Sequence, residues 1–494
     1  MYVIPRAGDY SGGFTYTILE AGTSLAGTFS AVTGASPLLG YKLSYDYVNK
    51  QVSLTVSPVA LGSIIKEGNG GIIAQHIDSL GSLSSTSVLK RFENAIFPLP
   101  TADVYEAFNQ IHPTPNGLIS SSVMTNEFNQ MDGIVSFSFL DRNAHMIKDQ
   151  LKAAGANITQ LNANVAPINS LPSTGRGERF GKTFRFSDLY TDGMANSQSM
   201  PQNVRTTVGG TTLWAQQTGS YIDQESKRDG SATLGVAGVK SRLTDTSAGV
   251  DTLVTEKLRM GATVGYGKTT YHLRQGYGKG KINSYRVGLY SVWEFVKDWY
   301  ANASAFYGYH DFKGKRTLTL TGVKYTNSQT HHGYHMGGMT EVGRDFAVTK
   351  EITITPYGGF GGLYFKEGGY VEKAEGLNPS LTVHKHNNSF IQAKTGVQAS
   401  RVFNVRGMHL YIYGKMGYIY KKNLHNSQGI KASFTGYAGN FQVFVRDKAQ
   451  NMMNPGIGGS ILLANNISLT GNYNAELSSK LRIHQATLNL TYMF

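Results

Sequence analysis

Three serines and five histidines lie in short runs whose spacing suits recognisable chemistry. Ser24, in GTSLA at 22–26, approaches the Gly-x-Ser-x-Gly turn that exposes a nucleophile after a strand, but Ala26 stands where the last Gly belongs. Ser11, in DYSGG at 9–13, follows Tyr10 where a Gly-Asp-Ser run would need Asp. Ser79, in IDSLGS at 77–82, lies in a Gly-Asp-Ser-Leu pattern whose Gly is replaced by Ile77. A nucleophile needs a base within hydrogen-bond reach and a third group to orient that base; no such partners can be placed for these serines. His331, His332 and His335 in HHGYH, and His384 and His386 in HKH, offer imidazoles to a metal. Residues two or four apart on a strand point the same way, so His331 shares a face with His335, and His384 with His386. Both clusters fall where a strand pattern gives way to a connection, without carboxylates placed to orient the rings. They read as solvated loop histidines. No Gly-x-x-x-x-Gly-Lys-Ser/Thr run is present. The expectation is no catalytic, metal-ligating or cofactor-binding residue, and no enzyme.

The elements that would position such groups carry more information. Of 494 residues only 16% are charged, and 58 Gly, 29 Tyr and 23 Phe argue against a disordered chain or a coiled coil. No run of about 18 apolar residues occurs, which excludes a transmembrane helix but not a barrel of alternating strands. The net charge of +14 is scattered through Gly/Tyr-rich segments rather than gathered into a basic stripe, so no nucleic-acid partner is expected. The chain has no Cys, which suits passage through an oxidising periplasm in the unfolded state. MYVIPRAGDYSGGF lacks the charged and apolar regions of a signal peptide, so the sequence is expected to be the C-terminal portion of something longer or to start at an internal Met.

From about residue 205 one theme repeats. Leu258, Met260, Ala262, Val264 and Tyr266 alternate with Arg259, Gly261, Thr263, Gly265 and Gly267; Ile391, Ala393, Thr395 and Val397 alternate with Gln392, Lys394, Gly396 and Gln398. Runs of this kind recur near 212–222, 231–241, 256–268, 284–296, 299–312, 333–346, 351–365, 389–402, 408–421, 455–464, 467–477 and 484–494. Each is long enough to cross a bilayer at a tilt, which takes about 9–11 residues. Short joints such as FVKD and FNVRG alternate with long ones such as HLRQGYGKGKIN and KGKRTLTLTGVKYTNSQTH, as in a barrel with turns on one side and loops on the other. LTDTSAGVDTLVT, after the second run, is too long for that rule. The polar faces, rich in Arg, Lys, Gln, Asn, Thr and Ser, suit a wet lumen; Tyr266, Trp293, Trp299, Tyr309, Tyr418 and Tyr420 suit interfacial girdles.

Upstream, residues 1–58 read as short strands separated by Gly, which fits successive rungs of a β-helix, and 59–100 as a Gly/Ser-rich connector. Helices are expected over 101–111, with Thr101 as N-cap, and over 121–154. Residues 155–205 read as a linker.

The terminal LNLTYMF at 488–494, the entry segments TYTILEAG and LSYDYVNKQVSLTV, and SSVMTNEFNQM at 121–131 together resemble the classical (type Va) autotransporters of Gram-negative bacteria. The resemblance implies an all-β fold: a 12-stranded antiparallel transmembrane β-barrel with an α-helical linker, preceded by a short β-helix remnant. On this division 1–58 are the last rungs of a passenger, 59–204 a linker threading the pore and 205–494 the translocator. It implies export and display of the passenger at the cell surface, without a cofactor, from a monomeric barrel in the outer membrane. Ala486, Leu488, Leu490, Tyr492 and Phe494 would be the signal read by the barrel assembly machinery. Periplasmic chaperones, outer-membrane lipid and lipopolysaccharide would be its other partners. Some members cleave the linker at an Asn inside the pore; Asn126 and Asn129 lie in that region without a pattern that assigns the role, and an uncleaved passenger is expected. The competing readings are a passive porin-like channel and a soluble β-rich adhesin.

Overall fold

The computed structural model describes residues 1–137 and 211–493, apart from 7, 11, 230, 256, 350–351, 406–407, 425–428, 446–448 and 465–466. Twelve antiparallel strands close into a barrel: β1 (Thr211–Gln224), β2 (Val239–Thr255), β3 (Leu258–Leu273), β4 (Gly278–Val296), β5 (Trp299–Leu320), β6 (Val323–Arg344), β7 (Ile352–Glu367), β8 (His386–Val405), β9 (Met408–Asn423), β10 (Gln450–Ala464), β11 (Ile467–Leu477) and β12 (Leu481–Met493). Each pairs with the next, and β12 returns to β1 in continuous register from Leu481↔Gln224 to Met493↔Thr212. Closure leaves no unpaired sheet edge, the condition for a β-structure in hydrocarbon.

Alternation sorts the side chains as the period-2 pattern requires. On β3 Met260, Val264 and Tyr266 are exposed on the outer surface while Arg259 and Thr263 are buried inside. On β5, Trp299 and Tyr309 face outward ten residues apart; at ~3.3 Å per residue and a ~40° tilt they bracket a band about 25 Å high. Tyr266, Tyr285, Tyr309 and Tyr334 are register partners on β3–β6 and form one aromatic row. Trp293, Trp299 and Phe346 lie at the other rim, where Arg344 stacks on Trp299 and Phe346.

The second strand is 239–255, not 231–241. Its outward positions include Thr244 and Thr246 and its inward ones Leu243, so the polarity signal is blurred at one end. LTDTSAGVDTLVT is therefore strand, and the β2–β3 joint shrinks to residues 256–257. The joints at this rim are then all short, at most the seven residues between β6 and β7, while the opposite rim bears the long connections and the extended ribbons. HLRQGYGKGKIN and KGKRTLTLTGVKYTNSQTH are not free loops either, because β3–β6 continue past the aromatic row as paired ribbons. β5 and β6 meet at Thr321 and Gly322, with φ of 48° and 82°; positive φ at both central residues matches the right-handed twist of a hairpin.

Residues 1–58 are not β-helix rungs among the described residues. Phe14–Glu20, Gln51–Pro58 and Leu39–Asp46 form an antiparallel sheet, and only Tyr2–Val3 with Thr33–Gly34 is parallel. The cause is local: the Asp46 carboxylate accepts the N–H groups of Val48 and Asn49, and Lys50 takes φ 56°, folding LSYDYVNKQVSL back on itself. The supposed connector is helical, with α1 (Leu61–Ile64), α2 (Gly68–Ser79) and α3 (Val88–Ile96). Asp78 accepts the first N–H groups of α1 at 3.0 and 2.8 Å, and Ser87 caps α3. The expected helix at 101–111 is α4 (Thr101–Gln110), but Thr101 is its first residue and Pro100, not Thr101, stands at the N-cap. The next, α5 (Thr114–Phe137), starts seven residues before the expected 121 and runs through VSF; 138–154 and the linker to 204 lie outside the described residues.

The helices α1–α4 share one apolar core with the barrel rim that bears the long connections: Leu318 and Leu320 of β5, and a small sheet of Tyr370–Val371, Leu381–Val383, Ile430–Phe434 and Phe441–Val443. Asn69 of α2 binds the backbone of Phe444 twice, donating to its C=O at 2.9 Å and accepting its N–H at 2.8 Å. Asn69→Ala is expected to cost about 1–2 kcal/mol at this contact and to speed surface proteolysis of residues 1–110 without changing the barrel's heat-modifiable migration.

Candidate functional site in the barrel lumen

α5 is 24 residues long, about 36 Å at 1.5 Å per residue, and traverses the lumen. It has no amphipathic stripe because every face is buried. Its apolar residues Leu118, Val123, Met124, Phe128, Met131 and Ile134 pack on inward Phe306, Phe312, Met339, Leu363, Phe365 and Phe390. The lumen is thus partly apolar and filled, not the wet channel that the inward Arg, Lys and Thr suggested. Gly361 permits the approach: a Cβ there would lie 2.9 Å from the Phe128 ring.

The polar residues of α5 meet matched groups on the wall at successive depths. Near its start Ser120 donates to Glu367, which also bonds His331 at 2.7 Å and faces His386 at 3.4 Å. Ser122 bonds Ser241 at 2.9 Å, and Asn126 accepts from Ser220 at 3.2 Å. At mid-depth Arg286 bridges Glu127, at 2.8 Å, and both oxygens of Asp245, at 2.9 Å. Lower, Lys394 pairs with Asp132 of the helix and with Glu341 of β6. The guanidinium and ammonium groups come from the wall and a carboxylate from the helix each time, so the helix is held by charges it cannot satisfy elsewhere without water. Above α5, α4 is tied to the rim: Tyr277 donates to Glu106 at 2.7 Å and Arg316 to the Gln110 carbonyl at 3.1 Å.

His331 and His335 are not solvated loop histidines: they lie within β6, buried in the lumen, and only His332 and His384 are exposed. Their face-sharing was legible; their carboxylate partners were not, because Glu127 and Glu367 arrive from α5 and β7. Glu127, His310 and His335 bring ligand atoms within 4.8 Å of one another, a spacing that could hold a metal. The same residues are also linked by hydrogen bonds, Ser284 to His310 Nδ1 at 2.8 Å and His310 Nε2 to His335 Nδ1 at 2.7 Å, with Arg286 on Glu127, while His335 Nε2 faces Glu127 at 3.6 Å. Ser24 and Ser79 are exposed, Asp78 caps α1, and Ser11 lies outside the described residues.

On β12, Leu488 and Leu490 are 54% and 49% exposed on the outer face, while Asn489 and Thr491 are 2% and 3% exposed inside. Ala486 shares the outer face, Tyr492 is half-buried beside it, and Phe494 lies outside the described residues.

A family model described as the autotransporter β-domain matches residues 213–474, more than half of the chain and nearly the whole barrel. The chain belongs to the autotransporter β-domain family. It is an outer-membrane translocator domain, a transport rather than a catalytic unit. Among curated relatives it is 22% identical to outer membrane protein B of Rickettsia rickettsii and, equally, to that of Rickettsia conorii; the alignments cover 98% of this chain and 28% of the relatives. The chain thus spans 28% of the length of these curated relatives. Among solved structures, the translocator domain of NalP from Neisseria meningitidis is similar at 14% identity and a TM-score of 0.45, covering 57% of this chain and 88% of that one. The transport unit of AIDA-I from Escherichia coli is similar at 15% identity and a TM-score of 0.35, covering 63% and 97%.

Proposed function

We propose that residues 114–137 are the trailing segment of an exported passenger, held in the pore as a plug, and that 1–110 cap its outer mouth so that the passenger stays displayed. The observation that carries this reading is the course of α5. It starts at the rim with the long connections, which in outer-membrane barrels faces outward, and descends toward the rim where β1 begins. This is the direction left behind by a chain exported with its C-terminal end anchored. On the same reading the outward face Ala486, Leu488, Leu490 and Tyr492, continued to Phe494, is the register that the barrel assembly machinery recognises. Periplasmic chaperones would hold the chain before insertion, and lipid and lipopolysaccharide would surround a monomeric barrel.

Because the chain is free of Cys, the plug can be tested by crosslinking. Asn126→Cys with Ser220→Cys, on partners now 3.2 Å apart, is expected to form a disulfide in assembled outer membranes, and the full chain is expected to show only leak conductance in planar bilayers. A steady open pore, with no crosslink, would instead be the behaviour of a porin-like channel.

A further inference from the structure

Beyond the aromatic row, the outward face of β2–β5 changes from apolar to cationic. Lys268 follows Tyr266 by two residues on β3. Lys281 of β4 lies directly across from Lys313 of β5, and Lys279 from Lys315. On the other flank Thr270 is paired with both Arg242 and Lys281, and His272 with both Lys240 and Lys279. These seven cations are exposed, and none makes an ion pair among the described residues. Two carboxylates adjoin the patch: Asp311 is engaged by His332 at 3.1 Å, and Asp223 of β1, across from Lys240, pairs with Arg274 at 2.5 Å. Two features set the patch apart from a merely soluble surface. Like charges directly opposite on an antiparallel ladder destabilise it, yet two Lys–Lys pairs stand side by side here. The patch also begins one pleat above the Tyr row and ends about three pleats above it, roughly 5–15 Å at the tilt of the strands. That is the depth of lipid headgroups, not of bulk solvent.

We propose that this face binds the phosphate groups of an anionic outer-leaflet glycolipid, with Lys279, Lys281, Lys313 and Lys315 as the central contacts and the Tyr row seating the top of its acyl chains. The bound phosphates offset the repulsion between facing lysines, and they fix the height and tilt of the barrel on one side only. The proposal rests on the orientation argued above, in which this rim faces outward.

The test uses the full chain in detergent, titrated with bisphosphorylated lipid A and read by native mass spectrometry. Lys281→Glu with Lys313→Glu is expected to lower the bound fraction at least tenfold. Lys385→Glu with Lys422→Glu, at exposed positions elsewhere on the same rim, is expected to leave it unchanged. Equal losses in the two doubles, no loss in either, equal binding of dephosphorylated lipid A, or displacement by millimolar inorganic phosphate would each overturn the site. Orientation is checked separately on intact cells: Lys279→Cys is expected to react with an impermeant maleimide. If it does not react, the orientation itself is wrong. If it reacts but lipid A is not retained, only the lipid site is lost.

Discussion

Arg286→Met is expected to turn a plugged barrel into a conducting one. Arg286 comes from β4 and is buried between Glu127 on the helix and Asp245 on β2. Removing the guanidinium leaves two carboxylates in the lumen without their shared cation. Breaking one side of a buried ionic cluster costs about 3–5 kcal/mol. Asp245 stays fixed in the wall, but Glu127 can regain water if α5 leaves the pore, so the penalty falls on the plugged state. The measurement is single-channel conductance of the full chain in planar bilayers, expected to change from leak level to sustained openings. Adding Glu127→Gln to Arg286→Met removes the stranded charge on the helix and is expected to restore most of the closed time. If Arg286→Met conducts no more than the parent chain, the ionic cluster does not hold the plug.

Leu488→Arg is expected to have the second large effect, on assembly rather than on gating. Its side chain points outward from the last strand, and a guanidinium on the lipid face near mid-membrane costs about 2–4 kcal/mol. The loss comes where β12 must pair with β1 to close the cylinder. The neighbouring inward Thr487→Ala removes one hydrogen bond, with Thr218 at 3.2 Å, and is expected to cost about 1 kcal/mol or less. The two variants are compared by the fraction of heat-modifiable barrel recovered in outer membranes. A large loss for Leu488→Arg beside near-normal Thr487→Ala is the expected pair; equal recovery of the two would contradict the outward placement of Leu488.

The barrel was legible because hydrocarbon on one side and protein on the other impose a period of two. β3 shows it fully, with Met260, Val264 and Tyr266 outward and Arg259 and Thr263 inward. β2 hid it, because Thr244 and Thr246 face outward near the membrane's upper edge while Leu243 faces in. The lumen was hardly legible at all. Arg286 lies 159 residues from Glu127 and 41 from Asp245, and nothing local marks them as partners. Inward phenylalanines such as Phe306 and Phe312 break the polar face, and they are the local signal that the pore holds something apolar. Within residues 1–58, alternation marks Phe14–Glu20, Leu39–Asp46 and Gln51–Pro58 as strands, whereas GTFSAV at 27–32 forms none. The pairing was missed because a single Asp46 turn converts would-be parallel rungs into a hairpin.

A cysteine scan from position 486 to 491 of this Cys-free chain, spin-labelled one site at a time in bilayers, bears on the lipid-facing sheet most directly. Labels at 486, 488 and 490 should collide with oxygen dissolved in the hydrocarbon, and those at 487, 489 and 491 should be shielded from it. Oxygen accessibility that is uniform along the strand, or that peaks at the odd positions, would contradict a closed sheet wetted by lipid on its outer face.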